Sequence, residues 1–162
     1  MKNIIKLFIA GCLSLSLATA GQPAVGASMP KLSGLLPGAA LPNTSGKVVL
    51  VDFWASWCGP CKASFPSMSN LQQKYGAKGL VIIGIGVDED AAKYQAFAAK
   101  NKVNFTLVHD AQHKAAGFFN PPTMPSSYLV DRTGKIRYIH QGFKGAKTEA
   151  EYSKEIEELL GK

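Results

Sequence analysis

Two cysteines three positions apart, Cys58 and Cys61, stand directly behind the apolar run Val48-Val49-Leu50-Val51-Asp52-Phe53-Trp54. The run reads as a buried strand, and a helix is predicted to start between the cysteines. A Cys-x-x-Cys at such a junction is a reversible dithiol/disulfide site. Unpaired backbone N–H groups and the helix dipole favour a thiolate at a helix N-terminus, so Cys58 is expected to be the exposed attacking sulfur. Cys61, one turn on, is expected to be the buried resolving thiol, within bonding range of Cys58. To act, Cys61 must lose its proton in a dry place. Asp52, six residues before Cys58 on an apolar strand, is the natural general base, working through a water and with its pKa raised by burial. Gly59 and Pro60 shape the turn between the sulfurs. No histidine lies between them to stabilise a thiolate further, which predicts a comparatively reducing pair.

The elements that must position this pair can be read on either side of it. Ser45-Gly46-Lys47 is a turn that delivers strand 48–54, whose near-continuous apolar character predicts a central strand covered on both faces. A helix follows to about Tyr75, with Phe65, Met68, Leu71 and Tyr75 on one side and a proline, Pro66, inside it. Residues 80–87 form a second buried strand. Asp88 or Asp90 can cap the next helix, whose apolar face holds Tyr94, Phe97 and Ala98. A short strand over 105–108 and a brief helix over 112–118 lead into the proline-rich stretch Asn120 to Pro125. Asp131-Arg132-Thr133-Gly134 has the chemistry of a hairpin turn between strands 127–130 and 135–139. Thr148-x-x-Glu151 reads as a capping box opening a last helix, with Tyr152, Ile156, Leu159 and Leu160 on one face. The order β-α-β-α-β-α-β-β-α implies one α/β domain with a mixed central sheet and helices on both faces.

The ends and the composition set the context. Residues 1–20 have a basic start at Lys2 and Lys6, an apolar stretch and a small-x-small Ala18-Thr19-Ala20, the pattern of a signal peptide. An uncleaved anchor, or a lipoprotein signal with Cys12 lipidated, are the alternative readings of the same segment. Residues 21–46 are expected to be a linker and irregular lead-in, in which Leu32, Leu35, Leu36 and Leu41 pack on the domain at 47–162. Net charge is +7 over 162 residues, with scattered lysines and no stretch that reads as a nucleic-acid patch. Without Cys12, only Cys58 and Cys61 remain, so the sulfur chemistry is concentrated at one pair. His109, His113 and His140 are expected on the surface or in loops, with no metal assigned to them.

Residues 51–62, Val-Asp-Phe-Trp-Ala-Ser-Trp-Cys-Gly-Pro-Cys-Lys, resemble the active-site segment of the thioredoxin fold, and more narrowly of extracytoplasmic TlpA/ResA-type thiol-disulfide oxidoreductases. Pro66 matches the proline of that family's active-site helix, Thr123-Met124-Pro125 its cis-proline loop, residues 128–136 the hairpin, and Gly142 the glycine behind the last strand. The resemblance covers about residues 47–160. It implies a cis Pro125, with Met124 offering its backbone to an extended substrate and Gly142 letting substrate approach. Trp57 then supplies a flat apolar wall beside Cys58, while Trp54 belongs to the core. One departure is informative: relatives commonly carry a glutamate three residues past the second cysteine, where this chain has Ser64, whereas Asp52 matches the buried aspartate of ordinary thioredoxins.

These readings predict a secreted, most readily periplasmic, monomeric enzyme that reduces disulfides of exported proteins. It would need no cofactor beyond the Cys58–Cys61 disulfide. Its partners would be protein thiol/disulfide substrates and an upstream electron donor such as a membrane thiol reductase. Contact with the membrane would come only through an anchor or lipid. The alternative is a non-catalytic module using the same dithiol to hand a soft metal such as Cu(I) to a partner. Metal content after purification under reducing conditions separates the two.

Overall fold

The computed structural model describes residues 23–161; the expected targeting segment lies outside them. At the centre is the strand β1 (Val48–Trp54), buried at every position. β1 lies in a five-stranded sheet of order β3-β2-β1-β4-β5, where β2 is Leu80–Gly86, β3 Thr106–His109, β4 Ser126–Val130 and β5 Ile136–Gln141. β1, β2 and β3 run parallel, β4 is antiparallel to β1, and β5 is antiparallel to β4. The short helix α1 (Leu32–Leu35) precedes the sheet. It is followed along the chain by α2 (Gly59–Tyr75), α3 (Ala91–Asn101), α4 (Lys114–Phe119) and α5 (Ala146–Leu160). This is the thioredoxin arrangement, a mixed sheet with helices on both faces.

Alternation along β1 divides the core in two. Val48 and Leu50 pack with Met68, Leu71 and Tyr75 of α2 and with Tyr152, Ile156 and Leu159 of α5. Val49, Val51 and Phe53 pack on the opposite side with Phe119, Tyr128 and Leu32. Asp52 falls on the side of Val48 and Leu50, facing α2 and α5. Trp54 is fully buried against Phe65, Tyr94 and Phe97, with ring centroids 5.4, 5.4 and 4.8 Å away. Its Nε1–H finds no hydrogen-bond partner among the described residues. The crowding extends to Gly86, where an added Cβ would lie 2.6 Å from two Tyr94 ring atoms and 2.9 Å from Trp54. Rings cannot yield as a flexible chain end can. Gly86→Ala should therefore lower the urea midpoint at unchanged m, by about 1–3 kcal/mol of stability.

Several elements differ from the sequence reading in position or cap. The irregular lead-in carries α1, and Leu32 and Leu36 are buried in the core. Residues 26–29 lie along the hairpin: Gly26 N donates to Ile136 O at 2.7 Å and Met29 N to Gly134 O at 2.8 Å. The short strand begins one residue later than expected; the brief helix begins two later, where Asp110 accepts the first N–H groups of α4, from Lys114 at 3.0 Å and Ala116 at 2.7 Å. The capping box is corrected. α5 starts at Ala146 behind Gly145, whose φ of +62° suits glycine, and Thr148 sits inside the helix accepting the Lys144 N–H at 3.0 Å.

Candidate active site

β1 delivers the chain to the C-terminal end of the parallel strands, and a tight turn returns it into α2. Cys58 is the N-cap of α2, with Gly59 and Pro60 as its first two helical residues. Proline is at home there, since the missing N–H would have no helical partner. Cys58 N donates to Ala55 O at 3.0 Å, and the Cys58 sulfur accepts the Cys61 N–H at 3.1 Å. Cys58 and Cys61 form a disulfide, with Cα atoms 5.3 Å apart. Cys61 is fully buried and Cys58 is 5 % exposed, so access to the disulfide is narrow and falls on Cys58. Beside them Trp57 is 71 % exposed, and Gly59 and Pro60 are exposed as well. Trp54, as expected, is core.

The loop between β1 and α2 is held by a carboxylate that the sequence offers equally as a helix cap. Asp90 is the residue that caps α3, accepting from Ala92 N at 2.8 Å. Asp88, buried just past the end of β2, instead accepts from Ser56 N at 2.9 Å and from Ser56 Oγ at 2.5 Å. Two bonds to one carboxylate thus fix the residue immediately before Trp57-Cys58. The only sequence signal for this role is a carboxylate closing an apolar run.

Register brings the second half of the site to the same end of the sheet. Phe53 pairs with Ser126, so the preceding Met124-Pro125 lies beyond the end of β1 from which the cysteines emerge. The Met124–Pro125 peptide bond is cis. Gln141 pairs with Ser126 on the other side, and the next residue, Gly142, donates its N–H to Pro125 O at 2.7 Å. Its φ of +77° is the left-handed conformation that favours glycine, and a Cβ there would meet nothing within 4 Å. Pro125 is buried and Met124 half-buried.

Asp52, two residues before the end of β1, is 1 % exposed. Burial pushes its pKa up to about 7, while a hydrogen bond from Ser127 Oγ, 2.7 Å from Oδ1, pulls the other way. Ser127 Oγ in turn lies 2.7 Å from the Tyr152 hydroxyl. Neither Ser127 nor Tyr152 is among the site residues expected from the sequence. Ser64 is fully buried and donates to Cys61 O at 2.8 Å. Two histidines are corrected from surface or loop to half-buried strand positions. His109 Nε2 is 2.6 Å from Asp88 O and the ring stacks on Tyr94; His140 pairs with Glu155 at 2.7 Å. His113 is exposed.

The profile of the Redoxin family matches residues 24–156. The thiol-disulfide oxidoreductase ResA of Oceanobacillus iheyensis is 32 % identical over 102 residues, covering 63 % of this chain and 53 % of that protein. The chain therefore spans about half the length of such relatives. The crystal structure of a Chlorobium tepidum protein described as a thiol:disulfide interchange protein, DsbE, superposes with a TM-score of 0.72 at 30 % identity, covering 88 % of this chain and 99 % of that one. A secreted Mycobacterium tuberculosis disulfide oxidoreductase, described as homologous to Escherichia coli DsbE, gives a TM-score of 0.62 at 26 % identity, over 72 % and 84 % of the two chains. A matching profile across most of the chain, and a shared fold around the cysteine pair, establish that this protein belongs to the Redoxin family as a ResA-like member with a thioredoxin fold.

Proposed function

We propose that the protein is an extracytoplasmic thiol-disulfide oxidoreductase that reduces disulfides of exported proteins. The observation that carries this reading is the Cys58–Cys61 disulfide at the N-terminus of α2, with Cys61 fully buried and Cys58 keeping a narrow 5 % exposure. In the reduced enzyme the Cys58 thiolate attacks one sulfur of the substrate disulfide and expels the other as a thiolate, which takes up a proton. Asp52 accepts the Cys61 proton, and the Cys61 thiolate attacks Cys58, breaking the mixed disulfide and expelling the second substrate sulfur as a thiolate, which is protonated as Asp52 gives up the proton it took. Two electrons and two protons pass to the substrate, and the Cys58–Cys61 disulfide is left. Trp57 docks apolar substrate surface, Gly59 and Pro60 leave the sulfur approachable, and Met124, Pro125 and Gly142 line the path of an extended substrate segment. A membrane thiol reductase or similar donor returns the electrons.

The placement outside the cytoplasm is supported by the signal-like residues 1–20 and by the secreted structural relative. Among the described residues no helix is long and apolar enough to cross a membrane. The test is to express the full chain with Cys61→Ser in cells and recover it under acid quench. The expected result is extracytoplasmic protein carrying exported partners through bonds that dithiothreitol cleaves. Recovery of the variant free of partners, or bound only to cytoplasmic ones, contradicts the reading.

A further inference from the structure

Asp52 ends a chain of buried hydroxyls drawn from three elements. Ser127 of β4 lies opposite Asp52 in the register and donates to its Oδ1 at 2.7 Å. The Tyr152 hydroxyl, from α5, is 2.7 Å from the same Ser127 Oγ. A serine hydroxyl carries a single proton. With Asp52 ionised, that proton points to the carboxylate, which makes Tyr152 the donor to Ser127, and the chain then runs Tyr152 to Ser127 to Asp52. All three residues are 1 % exposed.

We propose that Ser127 and Tyr152 are positioning residues which hold Asp52 as a carboxylate, oriented to take a proton, during the Cys61 step. The proposal rests on Asp52 being the base. Burial alone favours the neutral acid, which needs an acceptor for its own proton, and a free Ser127 lone pair would provide one. Donation from Tyr152 takes up one of the two Ser127 lone pairs and polarises its O–H toward Asp52, which shifts the balance toward the charged form. Tyr152 can play this part throughout the range in which Asp52 titrates. Its own pKa is raised well above the usual tyrosine value, by burial first and by the Asp52 charge second.

The surrounding charges leave this task to the hydroxyls. On α5, Glu151 and Glu155 act on Tyr152. His140 of β5, opposite Ser127 in the register, meets the Tyr152 ring edge-on at 4.7 Å and is engaged by Glu155 at 2.7 Å. On α2, Cys61 is fully buried and Ser67 is bonded to Glu149 at 2.6 Å. β2, next to Asp52 on its other side, carries no titratable side chain from Leu80 to Gly86. Among the described residues no cation is paired with Asp52.

The test follows the Asp52 carboxyl directly by carbon-13 NMR in the oxidised full chain, where neither cysteine titrates. Tyr152→Phe, which keeps the ring, should raise the midpoint by roughly half a pH unit, Ser127→Ala by about one unit or more, and Ser127→Thr should restore it nearly to the parent value. The acid limb of the Cys61 resolving rate should move upward with the midpoint. In an Asp52→Asn background Tyr152→Phe should add no further shift. An unmoved or lowered midpoint in Tyr152→Phe overturns the proposal, as does a rate effect of that substitution that persists without Asp52. If Ser127→Ala loses its packed core by near-ultraviolet dichroism, Tyr152→Phe decides. If Asp52→Asn leaves the resolving rate and its pH profile intact, the base assignment fails, and the NMR midpoints still report separately on the hydroxyl chain.

Discussion

Replacing Cys58 with serine should abolish reduction of a protein disulfide such as those of insulin, a loss on the order of a thousandfold or more, because a serine hydroxyl neither ionises nor attacks sulfur at neutral pH. Cys61→Ser should behave differently. Cys61 is fully buried while Cys58 keeps a narrow exposure at the helix N-terminus, so the first attack survives and the second does not. The variant should therefore stop after one attack, as a mixed disulfide on Cys58 that a reductant cleaves. Turnover that survives Cys58→Ser, or steady turnover by Cys61→Ser, would show that the two sulfurs do not divide the work in this way. Insulin precipitation assays and intact-protein mass spectrometry read the two outcomes directly.

A large pH dependence of stability should come from Asp52. An unperturbed aspartate, as in an unfolded chain, titrates at 3.8, and burial pushes the folded Asp52 carboxyl up to about 7, with Ser127 offsetting part of the shift. The folded state thus holds the proton more tightly. The group's stabilising contribution is complete below the unfolded pKa, is lost as pH rises from there through about 7, and changes no further above it. A difference of about three units is on the order of 4 kcal/mol, a large share of a small domain's total stability. Urea midpoints of oxidised wild type and Asp52→Asn, measured between about pH 4 and 8, should diverge with rising pH in favour of the asparagine variant. Parallel curves would mean that Asp52 is not buried as a titrating acid. The same shift leaves Asp52 about half ionised near neutrality, the state in which a base can both accept and release a proton.

The strand, the pair and the acid behind it are legible in the sequence for a common reason: each is a local pattern. Val48 to Trp54 is apolar except at one position, Cys58 and Cys61 share one turn, and Asp52 is conspicuous as the charge inside that run. Ser127 and Tyr152 carry no such mark. Ser127 meets Asp52 across 75 positions of chain, through strand register alone. Tyr152 reads as one more apolar residue on an amphipathic helix, and its ring does pack with Ile156 and Leu159, while only its hydroxyl belongs to the site. Asp88 is hidden by ambiguity, since a carboxylate before a helix suits a cap as well as it suits Ser56. Thr148 and Glu151 show the reverse error. The spacing of a capping box is present, but Gly145 can take the positive φ that starts α5 earlier. The cis peptide before Pro125 and the role of Gly142 come through resemblance, since local chemistry does not distinguish Pro125 from its neighbours Pro121 and Pro122.

The most direct test of the redox cycle mixes fully reduced protein with an equimolar disulfide-bonded substrate, quenches with acid at intervals and maps the sulfurs by mass spectrometry. A transient adduct on Cys58 is expected first, then one Cys58–Cys61 disulfide formed for each substrate disulfide reduced. An adduct on Cys61, or a pair that stays reduced while the substrate stays oxidised, would contradict the cycle.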